Sequence, residues 1–158
     1  MYLPTAVDTD KLGSALAPLL RRGMVIYLQG ELGAGKSALV RAVLRTLGVT
    51  GHIKSPTYAL VELYVVSSLN LYHFDFYRFN NPEEWEEAGF RDYFNNDTVC
   101  LVEWPEKALG LLPEPDMTIG LSMAGEGRQV EIMLSANVEQ KCTTARSSIL
   151  DFVSGLAT

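Results

Sequence analysis

The chain has 158 residues, 47% of them hydrophobic, and a formal net charge of −6 with a pI near 4.9. That length predicts one domain with a real core, and 13 basic residues against 19 acidic ones argue against a free-standing nucleic-acid binder, which needs a basic face. The acidity serves solubility and also suits a basic patch on a partner. Two cysteines without CxxC or Cys/His metal spacing fit a reduced, cytoplasmic compartment. Cys100 reads as a buried core thiol, whereas Cys142 lies in a polar stretch. No signal-peptide pattern and no membrane-spanning apolar run are expected.

In chain order, Asp8–Leu20 reads as a helix. Asp8 or Thr9 can cap it, Leu12, Leu16, Leu19 and Leu20 form its apolar face, and Pro18 ends or kinks it early. Arg21, Arg22 and Gly23 are ordinary C-terminal chemistry. The apolar run Met24–Leu28 predicts a strand. Gly30-Glu31-Leu32-Gly33-Ala34-Gly35-Lys36-Ser37 then matches G-x-x-x-x-G-K-[ST], the P-loop. Its glycines allow tight turning and consecutive N–H groups make an anion nest. Lys36 is placed for β/γ-phosphates and Ser37 for Mg²⁺. The helix from Ala38 to Leu47 adds its N-terminal partial positive charge. It buries Leu39, Val43, Leu44 and Leu47, exposes Arg41 and Arg45, and stops at Gly48. Strand, glycine turn and crossing helix imply a parallel sheet.

After a polar loop with Lys54-Ser55-Pro56-Thr57, the runs Tyr58–Val66 and Leu69–Phe76 predict a β-hairpin. Ser67-Ser68 lacks the usual Gly or Asn, so the turn is expected to be a residue or two wider. Asn81-Pro82-Glu83-Glu84 starts a helix, with Asn81 as cap, Glu84 completing a capping box, and Trp85 and Ala88 facing the core. Its four acids form a solvated first turn or a docking face for a basic partner. Asn95-Asn96-Asp97 is a turn. Thr98–Val102 is nearly all apolar, as in a central strand covered on both faces. Pro105–Leu112 reads as a short helix, Met117–Met123 and Gln129–Leu134 as a second hairpin around Gly125-Glu126-Gly127, and Val138–Leu156 as a weakly amphipathic final helix docking Ile149, Phe152, Val153 and Leu156. The fold class is α/β: one P-loop NTPase-like domain over residues 1–158, a central mostly parallel sheet with antiparallel hairpins and flanking helices, and a polar tail from 136 on.

P-loop chemistry needs an acid for Mg²⁺ and a group to orient the attacking water or acceptor. Ligands of open parallel sheets bind beyond the carboxyl ends of strands. Asp75 and Glu103 both end predicted strands. Each also has a plainer reading, Asp75 as a turn acid and Glu103 as the partner of a nearby Lys or Arg. His73, one of only two histidines, reads as a structural histidine packed beside Tyr72 or Tyr77, with a catalytic role as the alternative.

Six stretches together resemble one family: 30–37, Lys-Ser-Pro-Thr-Tyr at 54–58, Tyr-His-Phe-Asp-Phe-Tyr-Arg at 72–78, Asn-Pro-Glu-Glu at 81–84, Cys-Leu-Val-Glu-Trp-Pro-Glu at 100–106 and Gly-Glu-Gly-Arg at 125–128. Their order and spacing are similar to the bacterial TsaE (YjeE) proteins from about residue 8 to 134. The resemblance implies an ATPase that is weak alone and required for threonylcarbamoyladenosine on tRNAs reading ANN codons. It would bind ATP or ADP with Mg²⁺ and reset a complex of TsaD and TsaB, touching tRNA only through that complex. It implies nucleotide contacts from Gly30, Glu31, Leu32, Gly33, Ala34, Gly35, Lys36, Ser37, Ala38, Thr57, Trp104 and Arg128, with Ser55-Pro56-Thr57 as a switch-like loop. Ser37, Asp75 and Glu103 would surround Mg²⁺, and Lys36, Asp75 and Glu103 would act in hydrolysis. Ser37-Ala38 replaces the family's common Thr-Thr, which keeps a hydroxyl. The polar tail from Asn137 lies outside the resemblance. Two other functions share the loop, a small-molecule or nucleoside kinase and a nucleotide-gated binding module. The first usually carries an Arg-rich lid, and the arginines here are scattered.

Overall fold

The computed structural model describes residues 1–136 together with Val138, Ser147, Asp151 and Ser154. Apart from those isolated positions, the tail helix expected over Val138–Leu156 lies outside the described residues, as does Cys142. The elements are β1 (Tyr2–Leu3), α1 (Ala6–Leu16), β2 (Val25–Gln29), α2 (Lys36–Thr46), β3 (Val61–Val66), β4 (Leu69–Asp75), α3 (Glu83–Glu87), β5 (Thr98–Glu103), β6 (Met117–Ala124) and β7 (Gly127–Leu134). The strands form one seven-stranded sheet in the order β1-β7-β6-β2-β5-β4-β3. β6, β2, β5 and β4 run parallel, and β3, β7 and β1 pair antiparallel at the flanks. The α/β class with a parallel centre and antiparallel hairpins is thus as expected.

The all-buried run of β5 takes a central place between β2 and β4. Successive residues of a strand face opposite sides, so β5 divides its apolar residues between two cores. Val99 and Leu101 join Ile26, Leu28, Leu71 and the apolar faces of α1 and α2. Cys100 and Val102 join Phe74, Phe76, Phe79, Trp85 and Phe90. The same alternation carries Glu103 to the α2 side with Leu101, and His73 and Asp75 to that side with Leu71. Parallel pairing sets Leu28 and Asp75 opposite Glu103, so the carboxyl ends of β2, β4 and β5 share one edge of the sheet. α1 and α2 pack closely because position 13 is glycine; a Cβ there would collide with Ala42.

Several local expectations change. The cap of α1 is Thr5, which forms a capping box with Asp8, while Thr9 is buried inside the helix. The α-helix ends at Leu16, and Pro18 sits in a following 3-10 turn, where its missing N–H is tolerated. Tyr2–Leu3 adds an edge strand that is too short to leave a periodic signal. The strand expected from Tyr58 starts at Val61, because the Leu60 N–H closes a turn onto the Pro56 carbonyl at 2.7 Å. The hairpin turn is only Ser67-Ser68, since Val66 pairs with Leu69. Ser67 takes φ 54°, and Arg22 Nη2 donates to the Ser68 carbonyl at 2.9 Å, which helps hold the tight turn. Pro82 occupies the cap position of α3 without a side-chain cap. The Glu84 carboxylate accepts from the Asn80 N–H at 3.2 Å rather than from Asn81. With α3 ending at Glu87, Ala88 is exposed, whereas Trp85 is buried as expected.

Trp85 fills the second core, its ring 5.9 Å from Phe94, but its buried Nε1 has no hydrogen-bond partner among the described residues. Burial of the ring, not a polar anchor, is what it contributes. Trp85→Ala is expected to lower stability by about 3–5 kcal/mol in urea unfolding, whereas Trp85→Phe, which keeps an aromatic ring in the core and leaves a smaller cavity, is expected to cost less.

Candidate functional site

The glycine-rich loop joins the carboxyl end of β2 to the N-terminus of α2. Gly35 is the residue before the helix and adopts a left-handed conformation, φ 104°. Any side chain there would also strike the Arg128 guanidinium, which packs across it. Glycine is therefore required at this position on two counts. Lys36 opens the helix and folds back over the loop. Its Nζ donates to the Gly30 carbonyl at 2.5 Å and the Glu31 carbonyl at 2.8 Å, and lies 4.4 Å from the Trp104 ring centre. Burial pulls the Lys36 ammonium below its ordinary value, against the raising influence of Glu103, Asp75 and Glu106.

Ser37 follows on the first turn of α2, and its hydroxyl donates to Glu103 Oε1 at 2.8 Å. Glu103 Oε1 also meets His73 Nε2 at 2.9 Å. Sequence reasoning missed this link. Tyr72 points to the opposite face of β4, so the expectation that His73 packs beside it or Tyr77 gives way to a buried bond with Glu103. The period-2 pattern of β4, read against β5, holds the signal that could have found it.

Asp75 ends β4 opposite Glu103. Its Oδ1 accepts from the Tyr77 N–H at 3.0 Å and its Oδ2 from the Thr57 hydroxyl at 3.2 Å. Thr57 in turn shares a 3.0 Å hydroxyl contact with Ser55, so the Ser55-Pro56-Thr57 loop is tethered to the strand-end acid. Burial raises the Asp75 carboxyl above its ordinary value; the Glu103 charge adds to this, and the Tyr77 and Thr57 hydrogen bonds oppose it. Trp104, directly after β5, takes φ 57°, a left-handed backbone that turns its ring over Lys36 and to within 5.0 Å of Tyr77.

Lys36, Ser37, Ser55, Thr57, Asp75, Tyr77, Glu103 and Trp104 line one cavity of about 320 Å³, together with Leu32, Gly33, Gly35, Ala38 and Arg41, whereas His73 lies behind Glu103 outside the lining. The structure thus brings Lys36, Ser37, Thr57, Asp75, Glu103 and Trp104 to one place. Gly30, Glu31 and Ala34 form the loop behind it, the first two through carbonyls bonded to Lys36. Arg128 is not among the lining residues. Its Nη1 donates to Thr9 Oγ1 at 3.0 Å, and it buttresses the loop at Gly35. Arg41, read from sequence only as an exposed helix residue, reaches the cavity rim.

A parallel α/β core with a strand–glycine loop–helix unit, two acids ending neighbouring strands and a shared cavity defines the class of protein. The family model for threonylcarbamoyl adenosine biosynthesis protein TsaE matches residues 3–130. The chain is 40% identical to the tRNA threonylcarbamoyladenosine biosynthesis protein TsaE of Haemophilus influenzae, covering 93% of this chain and 96% of that protein. It is 34% identical to the protein of that name from Bacillus subtilis, over 82% of this chain and 80% of the relative. The crystal structure of Bacillus subtilis YdiB superposes with a TM-score of 0.75 at 26% identity, covering 93% of both chains. The chain belongs to the TsaE family of tRNA threonylcarbamoyladenosine biosynthesis proteins. No helix among the described residues is long and apolar enough to cross a membrane.

The raised Asp75 carboxyl has a sign that can be tested. A folded-state value above the unfolded one means that its stabilising contribution is fully present below the ordinary value of 3.8 and is lost as pH rises through the raised value. In metal-free buffer, Asp75→Asn is expected to melt at a higher temperature than the parent at neutral pH, the difference closing as pH falls towards 3.8. Thermal unfolding across a pH series checks this.

Proposed function

We propose that the protein binds ATP or ADP with Mg²⁺ in this cavity and hydrolyses ATP, slowly alone and faster with a complex of TsaB and TsaD, so that the complex is reset between rounds of tRNA modification. One observation carries the reading: Lys36 and Ser37 of the glycine loop converge with two strand-end carboxylates, Asp75 and Glu103, around a single cavity. The contact with tRNA is through the partner complex. Residues 1–158 act as a single unit.

The residues fit the groups they would hold. The loop offers backbone N–H groups, glycines and the N-terminus of α2 to an anionic chain, with Lys36 as a fixed cation above it. Gly30, Glu31, Leu32, Gly33, Ala34, Gly35 and Ala38 supply the cradle, Thr57 and Trp104 its walls, and Arg128 holds Gly35 from behind. Ser37, Asp75 and Glu103 are all oxygen donors, the set that Mg²⁺ prefers, and among the described residues the buried Asp75 carboxyl has only hydroxyl and amide donors bonded to it. Ser37, Asp75 and Glu103 would hold Mg²⁺, which would supply positive charge beside the β/γ-phosphate oxygens. Glu103 and Asp75 would orient the water whose oxygen bonds to the γ-phosphorus as the bond to the bridging oxygen breaks, the water's proton leaving with the inorganic phosphate. Lys36 stabilises the charge that spreads over the γ-phosphoryl group. Thr57, tied to Asp75, makes the Ser-Pro-Thr loop responsive to that group.

Binding and turnover separate the roles. Lys36→Ala is expected to weaken ATP and ADP binding about 10- to 100-fold by calorimetry, the loss of one charged hydrogen-bonding group; unchanged binding removes the cavity from the account. Glu103→Ala is expected to lower phosphate release roughly 100-fold or more while nucleotide affinity changes far less. Parent-like turnover by both Glu103→Ala and Asp75→Ala contradicts their assignment.

A further inference from the structure

We propose that His73 is a positioning residue for Glu103: it pins one carboxylate oxygen from the floor of the sheet and leaves the other free for the cavity. The consequence for turnover rests on the hydrolytic reading above, whereas the hold itself is a property of the protein alone.

His73 is 1% exposed and Glu103 2%. In the proposed arrangement His73 Nε2 carries the proton and donates to Glu103 Oε1 across the 2.9 Å contact. The same oxygen takes the Ser37 hydroxyl, and no hydrogen bond from the described residues reaches Oε2. The two donors differ in what supports them. Ser37 belongs to the helix that opens from the glycine loop, where a ligand competes for its hydroxyl. His73 belongs to β4, paired with Leu101 of β5 on one side and Glu62 of β3 on the other. Its place is fixed by strand pairing on both sides and not by the loop.

A purely structural residue is a poor explanation of this position. His73 Nδ1 is buried with no partner among the described residues, a cost that an apolar side chain on the same face would avoid. What the imidazole adds over leucine is the Nε2–H bond to Glu103. Without it, a carboxylate on a flexible stem is free to turn from the cavity, and the geometry that orients a reacting water is lost.

The test has two arms. The chain holds only two histidines, so their ring nitrogens are separable in spectra of the nitrogen-15-labelled, nucleotide-free protein. His73 is expected as the Nε2–H tautomer with a slowly exchanging proton, and Glu103→Ala is expected to abolish that protection. An Nδ1–H tautomer, or a signal unchanged by Glu103→Ala, overturns the proposal. In phosphate-release assays with ATP, His73→Leu is expected to lower kcat about 10- to 100-fold with KM and ADP affinity unchanged, and His73→Gln, which keeps a donor, to recover most of the loss. Parent-like kcat in His73→Leu, or equal losses in both variants that track their melting temperatures, overturns it as well. If the parent releases no phosphate with or without TsaB and TsaD, the hydrolytic reading fails, and the spectra still decide whether His73 holds Glu103.

Discussion

The site depends on one constraint, the parallel pairing of β5 with both β2 and β4. That pairing places Glu103 level with the end of β2, where the glycine loop begins, and level with Asp75. The Glu103 carboxylate then ties three elements together through one oxygen, to Ser37 at the start of α2 and to His73 inside β4. A slip of one residue in either ladder would turn these side chains to the other face of the sheet. The register is held against such a slip because both faces of β5 are buried. Val99 and Leu101 are locked into one core, and Cys100 and Val102 into the other.

The two cores have different tasks. The aliphatic one, between the sheet and helices α1 and α2, supports the loop and fixes where α2 starts. The aromatic one braces β4 and β5 from behind, with Phe74 packed against Phe76, Phe90 and Phe94. Trp104 bridges from this second side to the cavity, because its left-handed backbone directs the ring over Lys36. A non-glycine residue in that conformation carries strain, and here the strain coincides with the covering of the lysine.

Much of this was legible in the sequence. The loop motif, the apolar run of β5 and the acids that end two strands each rest on local patterns, and the resemblance to the TsaE family joins them. What stayed hidden depends on contacts between distant residues. The role of His73 appears only when β4 is paired with β5 and the faces are counted. The tight Ser67-Ser68 turn is held by Arg22, 46 positions away from Ser68. Arg128 sits behind Gly35 because β7 lies next to β6 at the far side of β2, an order that no local pattern states. The caps of α1 and α3 shifted because neighbouring residues offered competing donors and acceptors within one turn.

The proposed function requires that this cavity hold a metal–nucleotide with both acids facing the γ-phosphate. A crystal structure of the protein with TsaB, TsaD, Mg²⁺ and a non-hydrolysable ATP analogue tests it most directly. The expected result is the γ-phosphate beside Lys36 and the metal held by the Ser37 hydroxyl oxygen, with Asp75 and Glu103 around it directly or through water. A nucleotide bound elsewhere, or a metal held without either acid, would contradict it.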